Sequence, residues 1–212
     1  MFLSGKKTFG DSSNLRRYIR RFFKKDDFDR IKNSGKRVIV TVSNLTNEQV
    51  EYKSSAACNY EEFCDWIWAS ANFLPFMSLW VKDGKEYGDG GFGNLIPVQK
   101  AITEGARWVD VIALRPVSKA KSSLPSRNAF HVLNKTYDFM LNQIGLDDLL
   151  IGNLEAKNHN VDIHYFHTPR ILTEETFVFD PKQLAAWWSE GLLYARQHTP
   201  KHQCLTKAEK EE

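Results

Sequence analysis

Long apolar runs are missing from the sequence. The longest, around Val38–Val42 and Val109–Leu114, fall far short of the ~20 residues needed to cross a bilayer, so no membrane span is expected. A secretory leader is missing as well: Lys6 and Lys7 follow only a few apolar residues, without the apolar core and small-residue cleavage site of a signal. Cytoplasmic location is therefore the default, unless a preceding portion of the protein carries a signal. Cysteine is sparse. Cys58, Cys64 and Cys204 are odd in number and widely spaced, and the first two lie in or beside one predicted helix, which argues against a disulfide framework. Neither an internal repeat nor a low-complexity tract is present.

What remains is ordinary globular chemistry. With 42% apolar and 26% charged residues the chain can bury a core, and 212 residues fit one domain. The net charge of +3 conceals an asymmetry: residues 1–37 carry +8 and the remainder −5. Such a basic segment invites a nucleic-acid or anionic-lipid reading. The pattern from Leu15 to Phe23 offers a simpler one, a helix with Leu15, Ile19, Phe22 and Phe23 on an apolar face and Arg16, Arg17, Arg20 and Arg21 on the other. A solvated basic face needs no partner; peripheral contact with an anionic membrane or substrate ranks second, and no nucleic acid is expected.

Local signals place the remaining elements. Ser12 or Ser13 can cap the first helix, and a charged turn follows around Lys24–Asp29. Arg37–Asn44 reads as a strand, apolar at consecutive positions as in a strand buried on both faces. Glu48–Lys53 follows as a second strand. Asn59 with Glu62 three residues on marks a helix start, and Pro75 closes that pattern. Ser78–Val81 and Glu86–Tyr87 form a hairpin through Lys82-Asp83-Gly84-Lys85, since Asp-Gly suits a type I′ turn. Pro97 and Gly105 bracket a helix from Val98 to Glu104, and Trp108–Leu114 is a further buried strand. Helices over Ala129–Ile144 and Asp147–Ala156, a strand over Val161–Phe166 and a helix over Pro181–His198 complete an α/β pattern. Ser118–Arg127 reads as a loop and Lys207–Glu212 as a frayed tail.

The hairpin delivers the chain to Gly88-Asp89-Gly90-Gly91. An Asp-Gly-Gly by itself is a common turn, but here it follows a strand directly and precedes Asn94-Leu-Ile-Pro97 and a helix. Glycines let a loop bend sharply and approach another segment closely, as a carboxylate reaching a nucleophile requires.

Three stretches together resemble the patatin-like phospholipase family: Trp66-Ile-Trp-Ala-Ser-Ala-Asn-Phe-Leu-Pro-Phe, Gly84-Lys-Glu-Tyr-Gly-Asp-Gly-Gly, and Asn94-Leu-Ile-Pro-Val. The resemblance is good over residues 14–115. It implies a three-layer α/β fold with helices on both faces of the sheet, and acyl-ester hydrolysis by a Ser-Asp dyad without cofactor or metal. Asp89 takes the position of the dyad base, with Gly88, Gly90 and Gly91 as its supporting loop. The family's glycine-rich oxyanion loop and Gly-x-Ser-x-Gly elbow do not occur in residues 1–212. The chain is accordingly expected to be the C-terminal portion of one patatin-like domain, inactive in isolation. Its substrate would be a lipid or acyl ester. A missing N-terminal half would leave an exposed strand edge and apolar surface, open to association. The alternative is a non-catalytic protein that keeps the fold to bind lipid or a partner.

Other candidates are weaker. His159, His164 and His167 cluster, but residues three apart on a strand face opposite ways, and surface histidines are the better reading. His198, His202 and Cys204 lack a matching ligand pair. Trp187 and Trp188, with Leu184 and Leu192, suit a core helix better than an acyl pocket. Arg115, after a strand end, suits a structural ion pair better than a ligand crevice.

Overall fold

A computed structural model describes residues 5–116, 125–126, 128–172 and 180–197. The chain divides into two compact units, Met1–Leu95 with Phe139–Gly145, and Ile96–Asp138 with Leu146–Glu212. Ser118–Leu124, Arg127, His198, His202, Cys204 and Lys207–Glu212 lie outside the described residues. Among the described residues no helix is long and apolar enough to cross a membrane.

The first unit contains α1 (Ser13–Phe22), α2 (Lys25–Asn33), β1 (Ile39–Asn44), β2 (Gln49–Ser54), α3 (Tyr60–Ser70), β3 (Trp80–Lys82) and β4 (Lys85–Asp89). Its strands form one sheet in the order β2-β1-β4-β3, with every neighbouring pair antiparallel. β1, expected to be buried on both faces, is an internal strand of this sheet, with Val42, Ser43 and Asn44 buried and Ile39, Val40 and Thr41 half-buried. Val42 packs with Trp66, Ala69 and Tyr87 into the core. The ring of Trp66 meets Trp80 and Tyr87 edge-on, with centroids 4.6 and 4.9 Å apart, a favoured aromatic geometry.

Turn chemistry fixes the hairpin. Asp83 and Gly84 have φ of 52° and 75°, the two positive values of a type I′ turn, so β3 and β4 pair as Trp80↔Tyr87 and Lys82↔Lys85. At α3 the Asn59 side chain accepts from the Glu62 N–H at 2.9 Å, as expected of an N-cap.

Helix α1 departs from the expected arrangement. Arg16 donates to both carboxylate oxygens of Asp65 on α3 (2.8 and 2.6 Å), and Arg20 adds a third bond at 2.8 Å. Half of the basic face is therefore docked rather than solvated. Phe23 joins Phe28, Tyr60 and Phe63 in an aromatic cluster, whereas Phe22, assigned to the same apolar face, is exposed. Ser12 is the N-cap position but makes no side-chain capping bond; Asp11 Oδ1 accepts from the Ser13 N–H instead. The charged stretch read as a turn is α2, which buries Phe28 and begins with Asp27 accepting from the Lys24 N–H at 3.0 Å.

The second unit contains α4 (Val98–Thr103), β5 (Trp108–Ala113), β6 (Asp162–His167), α6 (Pro181–Gln197) and most of α5 (Ala129–His159). Strands β5 and β6 are parallel. β5 alternates, with Val109, Val111 and Ala113 buried and Trp108, Asp110 and Ile112 exposed, so it is covered on one face only. The core gathers Val98, Ile102, Val109, Val111, Ala156 and Ile163. Two predicted helices are one: α5 runs through Gly145 without a break, because a single glycine costs a helix only about 1 kcal/mol. Helix α6 has no buried residue, and Trp188 is 78% exposed, contrary to the core role expected for it. Its pattern is amphipathic, yet no described segment covers that face.

Candidate active site

β4 ends at Asp89, and a single 3₁₀ turn, Gly90–Phe92, follows. One strand ladder and one further backbone hydrogen bond hold the residue. Asp89 lies opposite Val42 of β1, and its N–H donates to the carbonyl of Asn72, just past α3, at 3.0 Å. The carboxylate caps the turn, Oδ1 accepting from the Gly91 N–H at 2.8 Å. Oδ2 has no hydrogen-bond partner among the described residues. Burial raises the Asp89 carboxyl above the ordinary aspartate value, and the Gly91 bond offsets only part of that rise. This is the expected result when a charged form loses water without gaining a cation.

The glycines around Asp89 act by closeness, not by unusual dihedrals, since none of the three has a positive φ. A Cβ on Gly88 would stand 2.4 Å from Leu74 Cδ1, and one on Gly90 only 2.2 Å from the Thr41 carbonyl oxygen. On Gly91 it would meet Leu95 at 2.9 Å and Asp89 Oδ1 at 3.1 Å. At Gly90 a side chain would force the loop off the Thr41 backbone, whereas at Gly88 and Gly91 the first atoms met are leucine methyls, which can shift.

Sequence reasoning quoted Asn72 without giving it a role. Asn72 is fully buried; its Oδ1 accepts from Ser12 Oγ at 2.6 Å, and Ser12 Oγ in turn accepts from Trp68 Nε1 at 3.0 Å. Asn72 Nδ2 is buried with no partner. The strand carrying Asp89 is thus tied to a small polar network behind α3. No sequence signal marks it, because the contact with Asp89 uses a backbone carbonyl that every residue possesses.

The other candidates do not join this site. His164 is buried rather than on the surface: its Nδ1 lies 3.1 Å from Asp110 Oδ1, and its ring meets Trp108 edge-on at 4.2 Å. His167 turns to the Arg115 carbonyl at 3.2 Å, and His159 to Glu155 at 3.3 Å. Cys58 and Cys64 are free thiols.

Residues 1–102 match the model of the patatin-like phospholipase family, a match that supports the resemblance seen in the sequence. The matched residues include the whole hairpin and the Asp89 loop. No curated protein matches the chain.

Proposed function

We propose that the chain is the base-bearing part of a lipid acyl hydrolase, with Asp89 as the proton acceptor of a Ser-Asp dyad. The observation that carries this reading is the state of the Asp89 carboxylate: half-buried, held by one backbone N–H, and with Oδ2 uncommitted.

The chemistry follows from that state. As a serine Oγ attacks the ester carbonyl, its proton passes to Asp89 Oδ2, and backbone N–H donors stabilise the oxyanion. Collapse expels the alcohol, which takes the proton from Asp89 and leaves an acyl-serine. Water then attacks, giving its proton to the same carboxylate; the second collapse frees the fatty acid and returns the proton to Oγ. A raised pKa makes the carboxylate a stronger base near neutral pH. Because residues 1–212 contain no Gly-x-Ser-x-Gly, the nucleophile and oxyanion loop in this proposal come from a segment outside them.

The test compares residues 1–212 alone with a protein extended by any in-frame coding sequence upstream. Alone, the chain should hydrolyse a short-chain nitrophenyl ester no faster than buffer and take no label from a fluorophosphonate. The extended protein should do both. Saturable labelling of one serine within residues 1–212 would overturn the division of the dyad, and an upstream region without a serine elbow would favour a binding protein that retains the fold.

A further inference from the structure

On α1, positions 14, 17, 18, 21 and 22 share one side of the helix, and this side points away from α3. It carries Asn14, Arg17, Tyr18, Arg21 and Phe22. Tyr18 is 58% and Phe22 69% exposed, and their rings stack with centroids 5.4 Å apart. Arg17 and Arg21 flank them, and the side chains of Asn14, Arg17, Tyr18 and Arg21 border an open depression of about 350 Å³. Arg17 bonds to its helix neighbour Asn14.

We propose that this side of α1 docks on an anionic phospholipid bilayer. Two stacked aromatic rings between two arginines keep apolar surface in water without adding to the core, and burying that surface elsewhere would be favourable. At a membrane interface both features have partners, the rings at the headgroup–acyl boundary and the guanidinium groups on lipid phosphates. Charge chooses between membrane and nucleic acid. Of the four α1 arginines, Arg16 and Arg20 are bound to Asp65, and Arg20 also reaches Glu61 at 3.3 Å, so on α1 itself Arg17 and Arg21 are the pair facing outward. Two arginines beside two rings form a short amphipathic patch, not the extended basic track that a phosphodiester backbone needs. The proposal does not rest on Asp89 chemistry, since docking requires no turnover.

The test is co-sedimentation of the full 212-residue chain with vesicles of phosphatidylcholine alone and of equimolar phosphatidylcholine and phosphatidylglycerol. Binding to the anionic vesicles only, weakened by salt, is expected. Arg17→Gln and Arg21→Gln should each lower the partition coefficient about five-fold. Phe22→Ser should reduce the part of the binding that survives high salt, and Lys36→Gln, outside α1 and beyond α2, should leave binding unchanged. All four positions are exposed, so circular dichroism and melting should match the parent chain. Equal binding to neutral vesicles, parent-like binding by the double arginine variant, or tighter retention by a single-stranded oligonucleotide than by anionic vesicles would each overturn the proposal. Failure here leaves the ester-hydrolysis reading intact, and failure of that reading leaves docking measurable.

Discussion

The backbone N–H of Asp89 is bonded to the carbonyl of Asn72 at 3.0 Å, so the residue proposed as base hangs from the segment that follows α3. Its position is set by main-chain atoms, and its side chain is left for chemistry. Asp89→Asn, in a protein that supplies the nucleophile, should therefore lower the ester hydrolysis rate by about 10²–10⁴-fold, the usual range for lost general-base help. Asp83→Asn should leave the rate nearly unchanged, because Asn-Gly also suits a type I′ turn. Steady-state kinetics of the two variants make the comparison.

The same substitution should affect stability in a direction set by pH. Burial raises the folded-state pKa of Asp89 above its unfolded value, near 3.8, so the folded state favours the protonated form. The stability that Asp89 contributes is thus fully present below about pH 3.8 and is lost as pH rises through the folded pKa. Asn cannot ionise and keeps the acceptor for the Gly91 N–H. At pH 7 Asp89→Asn should melt at or above the temperature of the parent chain, and the advantage should shrink as the pH falls toward 4. Scanning calorimetry across pH checks the sign.

Two glycines should respond oppositely to alanine. At Gly90 the new Cβ would fall 2.2 Å from a backbone oxygen, so Gly90→Ala should cost roughly 1–3 kcal/mol. Gly191 lies within α6 with nothing within 4 Å of the added carbon, so Gly191→Ala should stabilise by about 0.5–1 kcal/mol through helix propensity. Urea midpoints at unchanged slope would report both.

Asp65 is 15% exposed and accepts from two arginines of α1. Asp65→Asn removes the charge and one acceptor, while the arginines keep partial access to water, so the loss should be about 1–2 kcal/mol after allowance for screening. Neutralising the exposed Asp29 of the Lys25–Asp29 pair by Asp29→Asn should have a smaller effect on the same melting curve.

Legibility in the sequence followed the range of the forces involved. The Asp83-Gly84 turn, the Asn59 cap and the Asp89 loop could be read because a few adjacent residues determine each of them. Helix α2 was hidden by its charges, although Phe28 and Ile31 three residues apart, behind Asp26 and Asp27, carried the signal. The continuity of α5 through Gly145, the burial of His164 beside Asp110, and the docking of Arg16 on Asp65 depend on partners distant in sequence. Periodicity cannot supply those partners. Trp188 shows the converse: its pattern is that of a buried face, and the described chain leaves it in water.

The hairpin between β3 and β4 also makes residue count matter at a distance. Side chains alternate along a strand, so whether Asp89 shares a face with Val42 depends on whether the number of residues between it and the turn is odd or even. Gaining or losing one residue between Gly84 and Asp89 would keep every residue type and reverse which ones face Val42. Length is therefore constrained in this segment more tightly than side-chain identity, and natural variation between Gly84 and Asp89 should consist of substitutions rather than single-residue insertions or deletions.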